Sequence, residues 1–496
     1  MVSRHSQPHA FAAIAAFAVV MALAGSILSQ ELLWQKRYGG IYNDDGFAVA
    51  TVANGFVLVG STYSFGSGDF DLYLIRLDST GELLWSKTFG DSLGDYGYDI
   101  ETTASGGFVM AGSTIKNGLT NVFVVCTDST GNELWRKSFG GAGSDEGRAI
   151  RRTQDGGYII CGTSSSSGAG YSDLYLLKIN SAGDSLWAKT YGGAGGESGM
   201  SVREAVDKTL IAVGSTGSFG VGYSSVYAVH TSANGDSLWA TTYGGPSSDF
   251  GSSVDQALDG GFIFTGATAS ATVGYSDVYL VKTNSAGTVE WTQTYGGAKD
   301  DRGYCVKATD DGGYIIAATQ EGTSTRQIDV YLVKTDPTGA VQWSQVYGGE
   351  RSDYCRSIVR DQNKHFIALG YSYSFSIGGS DIYLLKVRGD MATPVYERPS
   401  ATLPEGFTLS QNYPNPFNAS TRIEFATPRR SHVAVDVFNV LGERVVTLVD
   451  EIIPAGSWGT EWDGRNTNSQ TVASGIYFYR VVTDFGQVTR KMVLLK

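Results

Sequence analysis

YGYDIETT (96–103), GGFVMAGST (106–114), NVFVVCT (121–127) and GNELWRKSF (131–139) follow one another with only turn residues between them. Each alternates apolar and polar residues or runs apolar for less than nine positions, and none has a 3.6-residue apolar period, so the stretch predicts four short strands. The same stretch recurs along the chain. Trp34, Trp85, Trp135, Trp187, Trp239, Trp291 and Trp343 are spaced 50 to 52 residues apart, and four residues after each comes an aromatic followed by Gly, from Tyr38-Gly39 to Tyr347-Gly348. These tryptophans are taken as the repeat core. The joints DSTG (78–81, 128–131), NSAG (180–183, 284–287) and DGG (155–157, 259–261, 311–313) are sequences that close hairpins. A period near 50 with four strands per unit predicts a β-propeller, in which each blade buries its two faces against its neighbours.

The ends of the array predict closure. Few residues precede Trp34 beyond an apolar leader, while DIYLLKV (381–387) has no Trp strand after it. If the Trp34 strand joins the sheet that contains Tyr383, the array becomes seven complete blades over residues 30–388, with no exposed edge. A solenoid would leave both half-units unpaired.

The wider composition narrows the function classes. The chain has 496 residues, 42% hydrophobic, 12% aromatic and 17% charged, with 65 Gly and 28 Tyr, which excludes a disordered chain and a lone small domain. A net charge of −12 opposes nucleic acid as a partner. The five His and four Cys (Cys126, Cys161, Cys305, Cys355) form no zinc-ligand spacing. The Cys fall at unlike positions of the repeat, so no disulfide framework is indicated, and Cys305 with Cys355 is the one pair to watch. Phe11 to Ala24 is an apolar run after Arg4 and His5, followed by Gly25 and Ser26, and residues 1–29 read as a secretory signal peptide. The run is shorter than the roughly 20 residues a bilayer requires, and no other stretch is long enough, so no transmembrane segment is expected.

The repeats resemble secreted bacterial propellers whose blades carry DGGY, D-x-Y-L-x-K and W-x-x-x-Y-G-G, and more loosely the quinoprotein-type blade. That resemblance covers roughly 31–388 and implies a fold rather than an activity. Aligned on the aromatic-Gly pair, every repeat has an acid six residues after the aromatic: Asp44, Asp95, Asp145, Glu197, Asp249, Asp301 and Asp353. They precede the strand expected to be innermost, which predicts a ring of carboxylates near one mouth of the channel. A divalent cation or polyol site is one chemistry such a ring offers; the other is that each carboxylate accepts backbone N–H bonds within its own loop. No cofactor is otherwise implied. A second series, Asp71, Asn121, Asp173, Ser225, Asp277, Asp329 and Asp381, is expected to cap the start of the Tyr-containing strand. Ser92 in GDSLG (90–94) matches a nucleophile elbow, but no helix follows it and no His partner is apparent, so no catalytic residue is assigned. The arginine cluster of a sialidase and the calcium constellation of a quinoprotein dehydrogenase are not apparent either. The longer loops, such as STYSFGSGDFD (61–71) and SSSSGAGYSD (164–173), place ligand binding on the face that carries them.

After the repeats, 389–406 has linker composition and 407–496 changes grammar, with short strands suggesting a small immunoglobulin-like sandwich. LSQNYPNPFNASTRIEF (409–425), VFNVLGERVVTL (437–448) and GIYFYRVVTDFGQVTRKMVLLK (475–496) resemble the type A C-terminal sorting domain of the type IX secretion system. The resemblance implies that the type IX machinery is a partner of 407–496, and that the chain crosses the inner and outer membranes of a Gram-negative bacterium to be secreted or held at the cell surface. The expected function is a binding or adhesion module for an unknown extracellular ligand, glycan or protein. The alternatives are an enzyme degrading extracellular polysaccharide with channel carboxylates, and a structural surface component.

Overall fold

The computed structural model describes residues 32–389 apart from 271, 273 and 323–326, and residues 396–495 apart from 399–403, 405, 419 and 467–470. The expected signal peptide and most of the expected linker lie outside the described residues. All regular structure among the described residues is β-strand, gathered into nine four-stranded sheets.

Seven of these sheets are blades. Blade I runs Asp44–Val52, Gly55–Thr62, Asp71–Leu77 and Leu83–Phe89, each strand antiparallel to the next. Blades II to VI repeat the pattern, with first strands Asp95–Thr102, Asp145–Arg152, Glu197–Glu204, Asp249–Gln256 and Asp301–Ala308. Blade VII consists of Asp353–Arg360, Phe366–Ser372 and Asp381–Val387, and its fourth strand is Leu32–Tyr38 from the other end of the array. Trp34 pairs with Lys386 and Tyr38 with Ile382. The ring closes by hydrogen bonds between its two ends, and the edge of the Tyr383 strand is covered.

The first strands of successive blades lie side by side, and that of blade VII lies beside that of blade I, so these strands ring a central channel. Second strands are buried over nearly their whole length, as in Gly55–Thr62 and Phe262–Thr268, because a neighbouring blade covers each face. Apolar layers therefore span pairs of blades. Val57, Val59, Leu72 and Leu74 of blade I pack on Ile100, Phe108 and Met110 of blade II, and Leu58 and Ile75 pack on Ile367 and Leu384 of blade VII.

The tryptophans stand at the outer margin of the cores: Trp343 belongs to one core cluster and each of the other six packs against one. Trp34, Trp85, Trp135, Trp187, Trp239 and Trp291 are half-buried and Trp343 is buried, all on the outermost strand. Six of them cover the hairpin glycine of the next blade. A Cβ on Gly131 would lie 2.6 Å from the Trp85 ring, and the φ of 79° at Gly131 also favours glycine. The tryptophans seal the seam between blades at the outer rim, where solvent keeps one ring edge exposed.

The C-terminal segment forms two sheets, one of Thr408–Leu409, Thr421–Thr427, Gly456–Trp462 and Tyr396–Arg398, the other of Arg444–Ile453, Ser431–Phe438, Gly475–Thr483 and Gly486–Leu494. Ile423, Phe425 and Trp462 from the first share a single core with Val435, Tyr479 and Met492 from the second, so the two sheets form a sandwich.

Candidate functional site

Each of the seven acids is the first residue of a channel-lining strand, and each carboxylate is buried. In every blade it accepts a hydrogen bond from the backbone N–H four residues earlier: Gly40 to Asp44 at 2.7 Å, Asp91 to Asp95 at 2.8 Å, Gly141 to Asp145 at 2.9 Å and Gly193 to Glu197 at 2.7 Å. Gly245 to Asp249, Gly297 to Asp301 and Gly349 to Asp353 continue the series at 2.8, 2.6 and 2.8 Å. Hydroxyls from the loop after the second strand supply further donors. Ser64 donates to Asp44 at 2.6 Å, Ser270 to Asp249 at 2.8 Å and Ser374 to Asp353 at 2.7 Å, while Thr216 donates to Glu197 at 2.7 Å. The acid thus ties the loop that enters its own strand to the loop between the second and third strands.

The second series lies against the first. A Cβ on Gly90 would stand 2.0 Å from Asp71 Oδ1 and 2.8 Å from Asp95 Oδ2, so the glycine after the aromatic is the gap between two carboxyl groups. The same geometry places Asp381 by Asp44 across Gly39, Asp173 by Glu197 across Gly192, Asp277 by Asp301 across Gly296 and Asp329 by Asp353 across Gly348. Asn121 takes the acid's place beside Asp145.

Burial raises these carboxyls and the loop donors oppose it; in Asp95 burial prevails even with the Thr114 hydroxyl and the Asp91 N–H present. Burial raises the Glu197 carboxyl, but Ser218, the Gly193 N–H and Thr216 outweigh it and hold the group below its usual value. In blade VI the Thr and Ser positions are occupied by Gln320 and Gly322, neither hydroxyl is present, and Asp301 Oδ1 is buried without a partner. Burial, with the charge of Asp277, pushes Asp301 up to about 6. Burial and Asp353 likewise push Asp329 to about 6.

A second constellation, not anticipated from the sequence, sits deeper. Every channel-lining strand carries a β-bulge after its third residue. The expelled fourth residues are Phe47, Tyr98, Arg148, Met200, Ser252, Tyr304 and Arg356. A bulge re-aims a side chain out of the ladder, and here neighbouring bulged residues touch around the channel. Phe47 meets Tyr98 edge-on with ring centres 5.2 Å apart, Arg148 lies 4.3 Å over the Tyr98 ring, and Arg356 lies 4.3 Å over that of Tyr304. The seven positions form a girdle of mixed side chains, five of them joined by these contacts, where the backbone is sevenfold repetitive. The only sequence signal is that want of repetition, three residues after an acid that never varies in charge.

Beyond the girdle, toward the DGG turns, a cavity of about 280 Å³ is lined by Asp99, Glu101, Arg151, Cys305 and Lys307 among others. Arg151 pairs with Asp99 and stands 3.8 Å from Glu101, and the Ile150 N–H donates to Asp99 at 2.9 Å. Burial raises the Glu101 carboxyl against the pull of Arg151.

The remaining sequence candidates resolve simply. GDSLG is the loop ahead of Asp95–Thr102; in it Asp91 accepts from the Leu93 N–H at 2.9 Å, and a strand follows where an elbow would require a helix. All four cysteines are free and buried, including Cys305 and Cys355. Among the described residues no group of three or more His, Cys, Asp or Glu is arranged to hold a metal ion, and no helix is long and apolar enough to cross a membrane.

Residues 411–495 match the family of secretion system C-terminal sorting domains. The chain is therefore targeted for secretion by its C-terminal domain. No curated protein matches the sequence significantly. Among solved structures, PorZ, described as an essential bacterial surface component of the type-IX secretion system of Porphyromonas gingivalis, is similar over 92% of this chain at 12% identity, with a TM-score of 0.43. This chain spans 60% of the length of PorZ. A fungal alcohol oxidase of the AA5 family, solved with copper, aligns over 94% of this chain and 100% of its own at 12% identity and a TM-score of 0.46. The polysaccharide lyase Uly1 aligns over 71% and 91% at 9% identity and 0.43. Likeness at this level concerns β-architecture and transfers no activity.

Proposed function

We propose that the protein is an exported binding module. The C-terminal domain is recognised by the type IX machinery, the chain crosses the outer membrane, and the propeller is released or held at the cell surface to engage an extracellular ligand. What supports a binding role is the contrast between two positions three residues apart. An acid stands at the ring position of every blade and accepts a backbone N–H from its own loop, whereas the bulged residues differ between blades but for a recurring Tyr and Arg. A position that escapes the repeat while its surroundings keep it is under a demand other than blade stability. The same face holds Tyr171, Tyr223 and Tyr275 out to solvent at 82, 89 and 72% exposure from equivalent loops of blades III, IV and V, and Tyr is a residue type enriched at binding interfaces.

The polysaccharide-degrading alternative draws on channel carboxylates. Those of the ring already accept loop donors, and Asp99 and Glu101 both face Arg151, which favours binding over acid–base chemistry.

The test is made in a host with this secretion system. Cells expressing the full chain are compared with cells expressing it without 32–389 and cells expressing it without 411–495, for protein at the surface or in the medium and for adherence to polysaccharide- and protein-coated supports. The account expects loss of export with the second deletion, and export without adherence with the first. Equal adherence with and without the propeller refutes the binding reading.

A further inference from the structure

The arginines along the channel are not equivalent. Arg148 pairs with Glu146 at 2.9 Å, Arg151 with Asp99, Arg203 with Asp255, and Arg302 with Asp300 at 3.7 Å. Arg356, the bulged residue of blade VII, has no carboxylate within ion-pair distance among the described residues. Its Nη2 donates to the Tyr371 hydroxyl at 3.1 Å, and its Nε is buried without an acceptor. Asp45, whose charge it feels, is turned to Ser380, whose hydroxyl donates to it at 2.6 Å. Rings surround the guanidinium instead, with Tyr304, Tyr371 and Tyr354 centred 4.3, 5.5 and 5.9 Å away. Faces packed on tyrosines lose water, and the hydrogen-bond partners of the guanidinium are the neutral Tyr371 and Tyr304 hydroxyls, so its charge is left for a carboxylate or sulfate to meet. A half-buried cation left without its counter-charge, in a protein of net charge −12, points to an anion brought by a ligand.

The surroundings define the rest of that ligand. From the rim to the girdle, rings follow one another from Tyr42 to Tyr63 (5.3 Å), Phe70 (5.4 Å), Tyr96 (5.4 Å) and Tyr98 (6.2 Å, parallel within 6°). The outer members of the row, Tyr42 and Tyr63, are exposed and offer ring faces edged by phenol hydroxyls, set among Ser, Thr and Gly loops. Pyranose rings present the complement, with C–H faces for the rings and hydroxyl edges for the polar loops. Exposed Arg351, 5.4 Å over the Tyr373 ring, is likewise without an ion pair among the described residues, so an acidic peptide is set against the saccharide in the test.

We propose, building on the binding reading above, that the channel mouth takes an acidic saccharide, with a sugar carboxylate or sulfate on Arg356 and the adjoining pyranose faces on the Tyr42 to Tyr98 row. Recognition by a single half-buried guanidinium predicts strong dependence on the acidic group and moderate dependence on salt, since a partly shielded pair is screened less than an exposed one.

The experiment is calorimetric titration of the full secreted chain with four probes of equal length: a galacturonate hexamer, a sulfated galactan hexamer, a neutral galactan hexamer and hexaglutamate. One of the two acidic saccharides should bind, the neutral one at least about tenfold more weakly, and hexaglutamate not measurably. Arg356→Gln should weaken the acidic saccharide by about ten- to a hundredfold, to the level of the neutral one, as loss of a charged hydrogen-bond pair implies. Thermal melting checks that the variant is folded, and Arg356→Lys, which keeps charge but not the planar guanidinium, should show a smaller loss in the same direction. Equal affinity for neutral and acidic hexamers, unchanged affinity in both variants, hexaglutamate binding as tightly, or no binding of either acidic saccharide would overturn the assignment. The adherence assay above reads the broader binding role independently, so a protein that adheres yet ignores acidic saccharides refutes this inference alone.

Discussion

Replacing the ring acid by Asn in two adjacent blades should change stability in opposite directions. Asp249 in blade V accepts from the Gly245 N–H and the Ser270 hydroxyl, both at 2.8 Å, and from Thr268. Asp249→Asn turns an amide NH2 toward at least one of these donors and removes the charge they serve, which costs about 1–3 kcal/mol at neutral pH. Asp301 in blade VI has the Gly297 N–H at 2.6 Å but neither hydroxyl, and burial raises it to about 6 from 3.8. Its folded-state value lies above its unfolded value, so between about pH 4 and pH 6 the folded chain holds a proton that the unfolded chain has released. Stability therefore falls as pH rises through that window and levels off above it, with a penalty at pH 7.5 of about 2–3 kcal/mol from this group. Asn keeps an acceptor for Gly297 and carries no charge, so Asp301→Asn should be neutral at pH 4 and should raise the melting temperature at pH 7.5. Thermal melts followed by Trp fluorescence at pH 4, 5.5 and 7.5 on the wild type and both variants make the comparison. Equal destabilisation by both substitutions, or an Asp301→Asn effect that does not change with pH, would refute the reasoning that loop donors oppose the effect of burial on each carboxyl.

Three further outcomes follow from the same geometry. Deleting 32–38 removes the strand that pairs with Asp381–Val387 and the Tyr38 hydroxyl bond to the Gly81 carbonyl (2.6 Å), so calorimetry should show a lower melting temperature and light scattering should show aggregation through the bared edge; an unchanged melt contradicts closure. Gly90→Ala drives a methyl between Asp71 and Asp95 and should cost about 1–3 kcal/mol by overpacking, whereas Gly106→Ala, where no atom lies within 4 Å of the added Cβ but φ is 82°, should cost only its backbone strain of about 1 kcal/mol; equal melting temperatures would show that the carboxyl pair yields freely. Truncation after Arg490 removes Met492 and Leu494 from the sandwich core and the Phe417 N–H bond to the Val493 carbonyl (2.9 Å), a loss of about 2–5 kcal/mol per side chain, and a reporter fused to the truncated domain should stay in the periplasm; export equal to that of the intact fusion would show that a folded sandwich is not what is recognised.

Blade number, strand order and ring closure were legible because they depend on what the repeats share. A Trp every 50 to 52 residues and an unmatched strand at each end leave one way to pair Leu32–Tyr38. The tryptophans were harder to place, since a large apolar residue at an invariant spacing reads as core, and only the fold reveals that the outermost strand has a solvent side. The acids and their loop N–H donors are legible in the repeat, but the hydroxyl donors are not, because Ser64, Thr216 and Ser270 lie about twenty residues away, at the end of the second strand or just beyond it, where the path depends on the blade. The girdle was missed for a physical reason. Which residue a bulge expels depends on the ladder register, here a slip between Gly97 and Asp99 or between Cys355 and Ser357, and alignment of repeats rewards sameness while Phe47, Met200 and Arg356 differ. Arg356 was invisible on its own account, because the want of a carboxylate beside it is a fact of three dimensions.

The central claim is that the constant acids hold the blades and the variable bulged residues meet the ligand. Its most direct measurement is a paired scan on cells displaying the full chain, with Asp44, Asp145 and Asp249 changed singly to Asn and Phe47, Tyr98 and Arg356 changed singly to Ser, each variant scored for melting temperature and for adherence. The account predicts that the acid variants melt earlier and still adhere, and that the girdle variants melt close to wild type and adhere poorly. Adherence lost in the acid variants at an unchanged melting temperature, with the girdle variants adhering normally, would contradict it.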